Sequence, residues 1–200
     1  MKKLVFLQGS GINKEDYGDL PQIIAKQFSA ELVSFDAPFV HPKKSDKFTW
    51  FNKIEQHGRR DAVEKEYAYS LQYIKDQINK LGVKPQDVIL FGHSMGGGMA
   101  VHVGLEMDLG CVISVVADMP YNLQYHTSSH TPIYWFESAK DTYIDESRKK
   151  SYLLLGKNPN FHYGILPNST HTEFRDDLLT AIKPISANLI PHHLLNQERE

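Results

Sequence analysis

The sequence predicts an α/β protein: a mostly parallel sheet of about six strands with helices on both faces. Short apolar runs alternate with amphipathic stretches along almost all of its 200 residues. The runs are rich in β-branched and aromatic residues and are bounded by Gly, Pro or Asp, as buried strands are. Strands alternating with helices imply parallel pairing through right-handed crossovers, which covers both faces of the sheet.

Taken in order, "KLVFLQ" is the first predicted strand. The opening "MKKLVFLQGSG" has the positive start of a secretion signal, but the run Leu4 to Leu7 falls short of the ~7–15 apolar residues such a signal needs. Leu20, Ile23, Ile24 and Phe28 suggest a short helix, and "ELVSFDAP" a second strand. Residues 37–58 stand outside the pattern and read as a loop carrying Phe39, His41, Phe48, Trp50, Phe51 and His57. Between Arg60 and Leu81, the residues Val63, Tyr67, Leu71, Ile74, Ile78 and Leu81 recur at spacings of three and four, which paints one face of a helix. Gly82 ends it.

"DVILFG", "CVISVVA", "PIYWFES" and "FHYGILP" are the remaining predicted strands, with a helix over Met99 to Met107 after the first of them. Phe174, Leu178, Leu179 and Ile182 mark a last helix, which Pro184 is expected to break. The tail "PHHLLNQERE", residues 191–200, reads as frayed and solvated. No repeat, low-complexity tract or linker divides the chain, so a single domain over residues 1–200 is expected.

Composition narrows the function classes. Hydrophobic residues at 41%, charged residues at 23% and a net charge of -2 give no electrostatic reason to expect nucleic acid or an anionic membrane as partner. No segment approaches the ~18 apolar residues of a membrane span, so a cytoplasmic location is expected. The single cysteine, Cys111, cannot form an intramolecular disulfide and reads as a small buried hydrophobe.

The chemistry is concentrated in "ILFGHSMGGG", Ile89 to Gly98. A P-loop would need G-x-x-x-x-G-K-[ST], and no lysine follows these glycines. A dinucleotide fingerprint after the first strand fails as well: Gly9 and Gly11 supply two glycines, but Lys14 occupies the third position. What remains is G-x-S-x-G, met by Gly92, Ser94 and Gly96 between a strand predicted to end near Phe91 and a helix predicted to begin near Met95. In that context the serine sits on a sharp, strained turn with its hydroxyl exposed above the sheet.

A serine hydroxyl is a weak nucleophile without a base, and the base needs an orienting carboxylate. Asp141 follows the strand in "YWFESAKDTYID", and His171 follows the last strand in "YGILPNSTH". The order Ser94, Asp141, His171 suits a sheet whose strands all end at one crevice. Asp118 and Asp145 are rivals for the acid. Of the 10 histidines, His41, His57, His126, His130 and His162 fall before or within elements that keep them off the site, and His93 should turn aside from its neighbour. Backbone N–H groups of Met95 and Ser10 are the expected oxyanion donors.

These residues resemble the α/β-hydrolase superfamily, and within it the phospholipase/carboxylesterase group that includes the acyl-protein thioesterases. "LQGSG", "FDAPF" with "TWFNKI", "GHSMGGGMA", "TPIYWFESAKDTYID" and "NSTH" carry the resemblance over most of the chain. It implies a serine esterase or thioesterase that needs no cofactor and no metal, with Ser94 as nucleophile, Asp141 as orienting acid and His171 as base. The group's Trp-aromatic pair maps to Trp50 and Phe51, which would either wall the acyl pocket or simply pack a long loop. Two departures bear on substrate class: Gln8-Gly9 stands where the group has His-Gly, and "ESAKD" replaces its usual pattern before the acid.

The expected partner is therefore a small-molecule ester or thioester of short to medium acyl chain, cleaved through an acyl-enzyme. The alternative is a hydrolase fold kept as an inactive binding protein, although such descendants usually lose a triad residue. A metal-dependent hydrolase is disfavoured, because no H-E-x-x-H spacing occurs and His192 and His193 are adjacent.

Overall fold

In a computed structural model of the chain, described for residues 1–53, 60–117, 119, 129–143, 151–153, 155, 156 and 158–189, side-chain alternation along β1 (Lys3–Leu7) sorts the core into two halves. Val5 and Leu7 join one apolar cluster, and Leu4 and Phe6 the other. The same alternation recurs in β5 (Val88–His93), where Leu90 faces the first cluster and Phe91 the second.

The main sheet also contains β2 (Glu31–Ser34), β6 (Cys111–Val115), β7 (Ile133–Ser138) and β8 (Phe161–Leu166), in the order β2-β1-β5-β6-β7-β8. Every pairing in it is parallel. These are the six runs expected from sequence. Helices α2 (Arg60–Asn79) and α3 (Met95–Glu106) pack on one face through Leu71, Ile74, Ile78, Met99 and Val103. The other face is covered by α1 (Leu20–Gln27), α4 (Arg175–Ala181) and α5 (Lys183–Leu189), through Leu20, Ile24, Leu178 and Ile185. Each fully buried Leu or Ile contributes roughly 1.5–3 kcal/mol over leaving it exposed, so both layers are held mainly by apolar burial.

One expectation is corrected. Residues 37–58 are not simply a loop: β3 (Phe39–His41) and β4 (Lys44–Thr49) form a separate antiparallel hairpin. Helix α3 begins at Met95, directly after Ser94, as the turn pattern predicts, and the glycines after Ser94 are already helical. The helix marked by Phe174, Leu178, Leu179 and Ile182 ends at Ala181, ahead of Pro184 as expected, and Pro184 then lies in the first turn of α5, where a missing N–H costs nothing. The expected frayed tail, 191–200, lies outside the described residues.

β6 ends at Val115 and β7 begins at Ile133. The intervening residues 116–132 are too few for a large cap domain. Among the described residues no helix is long and apolar enough to cross a membrane.

Candidate active site

The order of the sheet decides where a ligand can approach. From β1 the chain runs outward to β2 on one side, and β5 to β8 extend on the other, so the strands part at β1 and β5. A crevice outside the carboxyl ends of parallel strands forms at such a point. Ser94 follows β5 there, and Ser10 lies just beyond β1.

Ser94 adopts φ 53° and ψ -120°, a conformation that costs a non-glycine residue about 1–3 kcal/mol. The turn is held by Ser94 N–H donating to Val115 O at 2.9 Å and by Gly98 N–H donating to Ser94 O at 3.0 Å. Two glycines make it possible. A Cβ on Gly92 would lie 2.3 Å from Gly96 O, and one on Gly96 would lie 2.4 Å from both Leu7 O and Gln8 O.

Asp141, Ser94 and His171 come together although they are far apart in sequence. His171 Nδ1 lies 2.9 Å from Asp141 Oδ2, and its Nε2 lies 3.1 Å from Ser94 Oγ. A carboxylate only accepts, so Nδ1 donates and the Nε2 lone pair faces the Ser94 hydroxyl. The Asp141 side chain is fully buried, while that of His171 keeps 18% exposure. Tyr143 N–H donates to the other Asp141 oxygen, Oδ1, at 2.6 Å. The loop carrying His171 is anchored in turn: Asn168 N–H and the Ser169 hydroxyl both donate to Asp177 Oδ2, at 2.7 and 2.8 Å. Those bonds, the backbone one first, hold the Asp177 carboxyl below its ordinary value. The rival acids Asp118 and Asp145 lie outside the described residues, as do His57 and His126.

The β3–β4 hairpin explains how the Ser10 turn is positioned. Gly11 N–H donates to Phe48 O at 2.9 Å, and the Ser10 hydroxyl donates to Thr49 Oγ1 at 2.8 Å, whose own proton goes to Phe51 O. Lys44 Nζ donates to Gly11 O at 3.1 Å, and Lys47 pairs with Asp16 at 2.7 Å. Among the described residues, neither Ser10 N–H nor Met95 N–H donates to another backbone group outside its own element. Met95 N–H opens α3, where helix N–H groups have no internal acceptor.

Trp50 and Phe51 are in the apolar core, Trp50 wholly buried and Phe51 5% exposed. The Trp50 indole N–H donates to Gln8 O at 2.8 Å, which fixes the end of β1. Cys111 is also buried, and burial pushes its thiol up to about 12, where it is unreactive. Among the described residues no cluster of three or more His, Cys, Asp or Glu side chains could hold a metal ion.

Sequence reasoning did not single out two neighbours of the site. Tyr143, 71% exposed, sets its ring 4.8 Å from that of His171. Tyr17 bonds His93, the residue before Ser94, at 2.7 Å. Strand alternation was the available signal for His93, since Phe91 two residues earlier faces the same apolar half. A cavity of about 630 Å³ borders Tyr17, His93 and Phe174, and neither Ser94 nor His171 lines it. It is not the place where the Ser94 hydroxyl points.

The family model described as phospholipase/carboxylesterase matches residues 1–189. No curated protein matches the chain. Among solved structures, the esterase PE8 aligns with a TM-score of 0.76 at 23% identity, over 94% of this chain and 93% of that one. Arabidopsis thaliana SOBER1 aligns with a TM-score of 0.69 at 18% identity, over 95% and 99%. A carboxylesterase from Mesorhizobium loti gives 0.71 at 17% identity, over 93% and 88%. At these identities the likeness is one of fold.

Proposed function

The chain belongs to the phospholipase/carboxylesterase family of α/β hydrolases, and from that premise we propose that it is a serine esterase or thioesterase working through an acyl-enzyme. Its substrates are small esters or thioesters of short to medium acyl chain, and its site of action is the cytoplasm. The observation that carries the reading is the hydrogen-bonded line from Asp141 through His171 to Ser94.

In this mechanism His171 Nε2 takes the Ser94 proton as Oγ attacks the carbonyl carbon. Asp141 holds the imidazole in the tautomer that leaves Nε2 free and stabilises the imidazolium that forms. The Met95 and Ser10 N–H groups receive the developing oxyanion, Met95 with the added field of the α3 N-terminus. The imidazolium then gives its proton to the leaving alcohol or thiol. Water enters, His171 takes one proton from it, and the acid is released with Ser94 restored.

Two features support the short-to-medium preference. Residues 116–132 are too few for a large cap, and Trp50 is taken up in the core rather than left to line a long acyl tunnel. The test is hydrolysis of p-nitrophenyl acetate by the wild type, Ser94→Ala and His171→Ala. Loss of turnover in both variants, with unchanged circular dichroism, is expected; turnover retained by Ser94→Ala would overturn the reading.

A further inference from the structure

We propose that Tyr17 and His93 act as a positioning relay, locking the Gly9–Ser10 turn and the His171 backbone in place on either side of Ser94. The proposal rests on the serine-hydrolase reading above and adds residues that do not touch substrate.

Three contacts define the relay. His93 Nε2 lies 2.8 Å from the backbone carbonyl of His171, His93 Nδ1 lies 2.7 Å from Tyr17 Oη, and Gly9 N–H donates to the same Oη at 2.8 Å. Only one placement of protons satisfies all of them. A carbonyl oxygen cannot donate, so His93 Nε2 carries the hydrogen; in the neutral ring Nδ1 is then an acceptor. Tyr17 O–H must therefore donate to Nδ1, and a lone pair on its oxygen takes the Gly9 proton. The chain of donors runs one way, from Gly9 through Tyr17 and His93 to His171.

Packing against aromatic neighbours holds the ring. His93 is 1% exposed. It stacks on Phe174 at 4.8 Å and meets Tyr17 edge-on at 5.5 Å, and Tyr17 in turn packs edge-on against Phe6 at 4.7 Å. Burial pushes the His93 imidazole down to about 4, so it stays neutral, as the contacts require, at neutral pH.

The relay matters because Ser10 and His171 both lie on loops, where reacting groups are held less firmly than on strands or helices. A displacement near 1 Å at such groups costs on the order of 100-fold in rate. His93 is covalently joined to Ser94, so one side chain references both loops to the nucleophile. A group acting in this way should change kcat and leave KM nearly alone.

The experiment measures kcat and KM for p-nitrophenyl acetate, per serine titrated with a fluorophosphonate, in the wild type, Tyr17→Phe, His93→Phe and His93→Gln. Normalising to titrated serine removes any loss that comes only from unfolded protein. Tyr17→Phe and His93→Phe are expected to lose roughly 10–100-fold in kcat with KM changed by less than about twofold. His93→Gln, which offers one amide donor and one amide acceptor, is expected to recover most of it. Wild-type kcat in both aromatic variants, or no advantage of Gln over Phe, would overturn the relay. If His93→Phe does not fold, Tyr17→Phe decides. Nitrogen-15 NMR of the wild type provides a check independent of turnover, with the proton expected on Nε2 of His93; a proton on Nδ1 would contradict the relay. A wild type with no titratable serine would instead defeat the hydrolase reading and leave the tautomer measurement standing as the judge of the relay.

Discussion

Asp141 Oδ2 sits 2.9 Å from His171 Nδ1, with its side chain fully buried and its second oxygen already bonded to the Tyr143 N–H. Both carboxylate oxygens are thus used to fix one imidazole orientation. Asp141→Asn would present an amide N–H or a weaker acceptor to Nδ1 and favour the wrong tautomer. A loss in kcat on the order of 10⁴ is expected. Asp118→Asn and Asp145→Asn should cost far less; a comparable loss at either would move the acid.

The turn geometry predicts a stability effect. Gly96→Ala places a methyl group 2.4 Å from two backbone carbonyl oxygens of the β1 end, neither of which can rotate away. Destabilisation beyond about 3 kcal/mol, or failure to fold, is expected. Urea denaturation checks it, and a change below about 1 kcal/mol would show that β1 and α3 can separate.

Stability should fall in acid partly through His93. Its native value is about 4, set mainly by burial, against about 6.5 in the unfolded chain. Between those two pH values the unfolded chain binds the extra proton, so stability drops as pH falls through the window and levels off below it. Wild type is expected to lose about 2 kcal/mol more than His93→Gln between pH 7 and pH 5. Equal losses would mean that His93 protonates normally in the fold.

Gln8 presents a different opportunity. It is fully buried, and among the described residues neither its side-chain oxygen nor its nitrogen has a hydrogen-bond partner. Replacing an unpaired buried amide with an apolar group of similar shape removes a desolvation cost of about 1–3 kcal/mol. Gln8→Met is therefore expected to raise the thermal midpoint. A lower midpoint would mean that the amide is satisfied in solution.

Much of this was legible in the chain. The four inner strands declared themselves because they are buried on both faces, and runs such as "DVILFG" are apolar almost throughout, while the edge strands β2 and β8 were read from their β-branched and aromatic residues. Ser94, Asp141 and His171 each follow a strand, so order along the chain brought them to one end of the sheet. The β3–β4 hairpin was not legible. Its second strand, "KSDKFT", carries little apolar pattern, and Val40 is 55% exposed. The hairpin is held by the Ser10 turn more than by a core of its own, and such backbone bonds leave no trace in composition. Pro184 was legible as the end of one helix but not as part of the next, since proline is also tolerated in a first helical turn. The Tyr17–His93 contact spans 76 positions and required the fold.

The decisive measurement is reaction of the purified protein with a fluorophosphonate, followed by intact mass and peptide mapping. One adduct per chain, carried by Ser94 and absent from Ser94→Ala, is the predicted result. An unmodified wild type, or a label that persists in Ser94→Ala, would contradict the assignment of Ser94 as nucleophile.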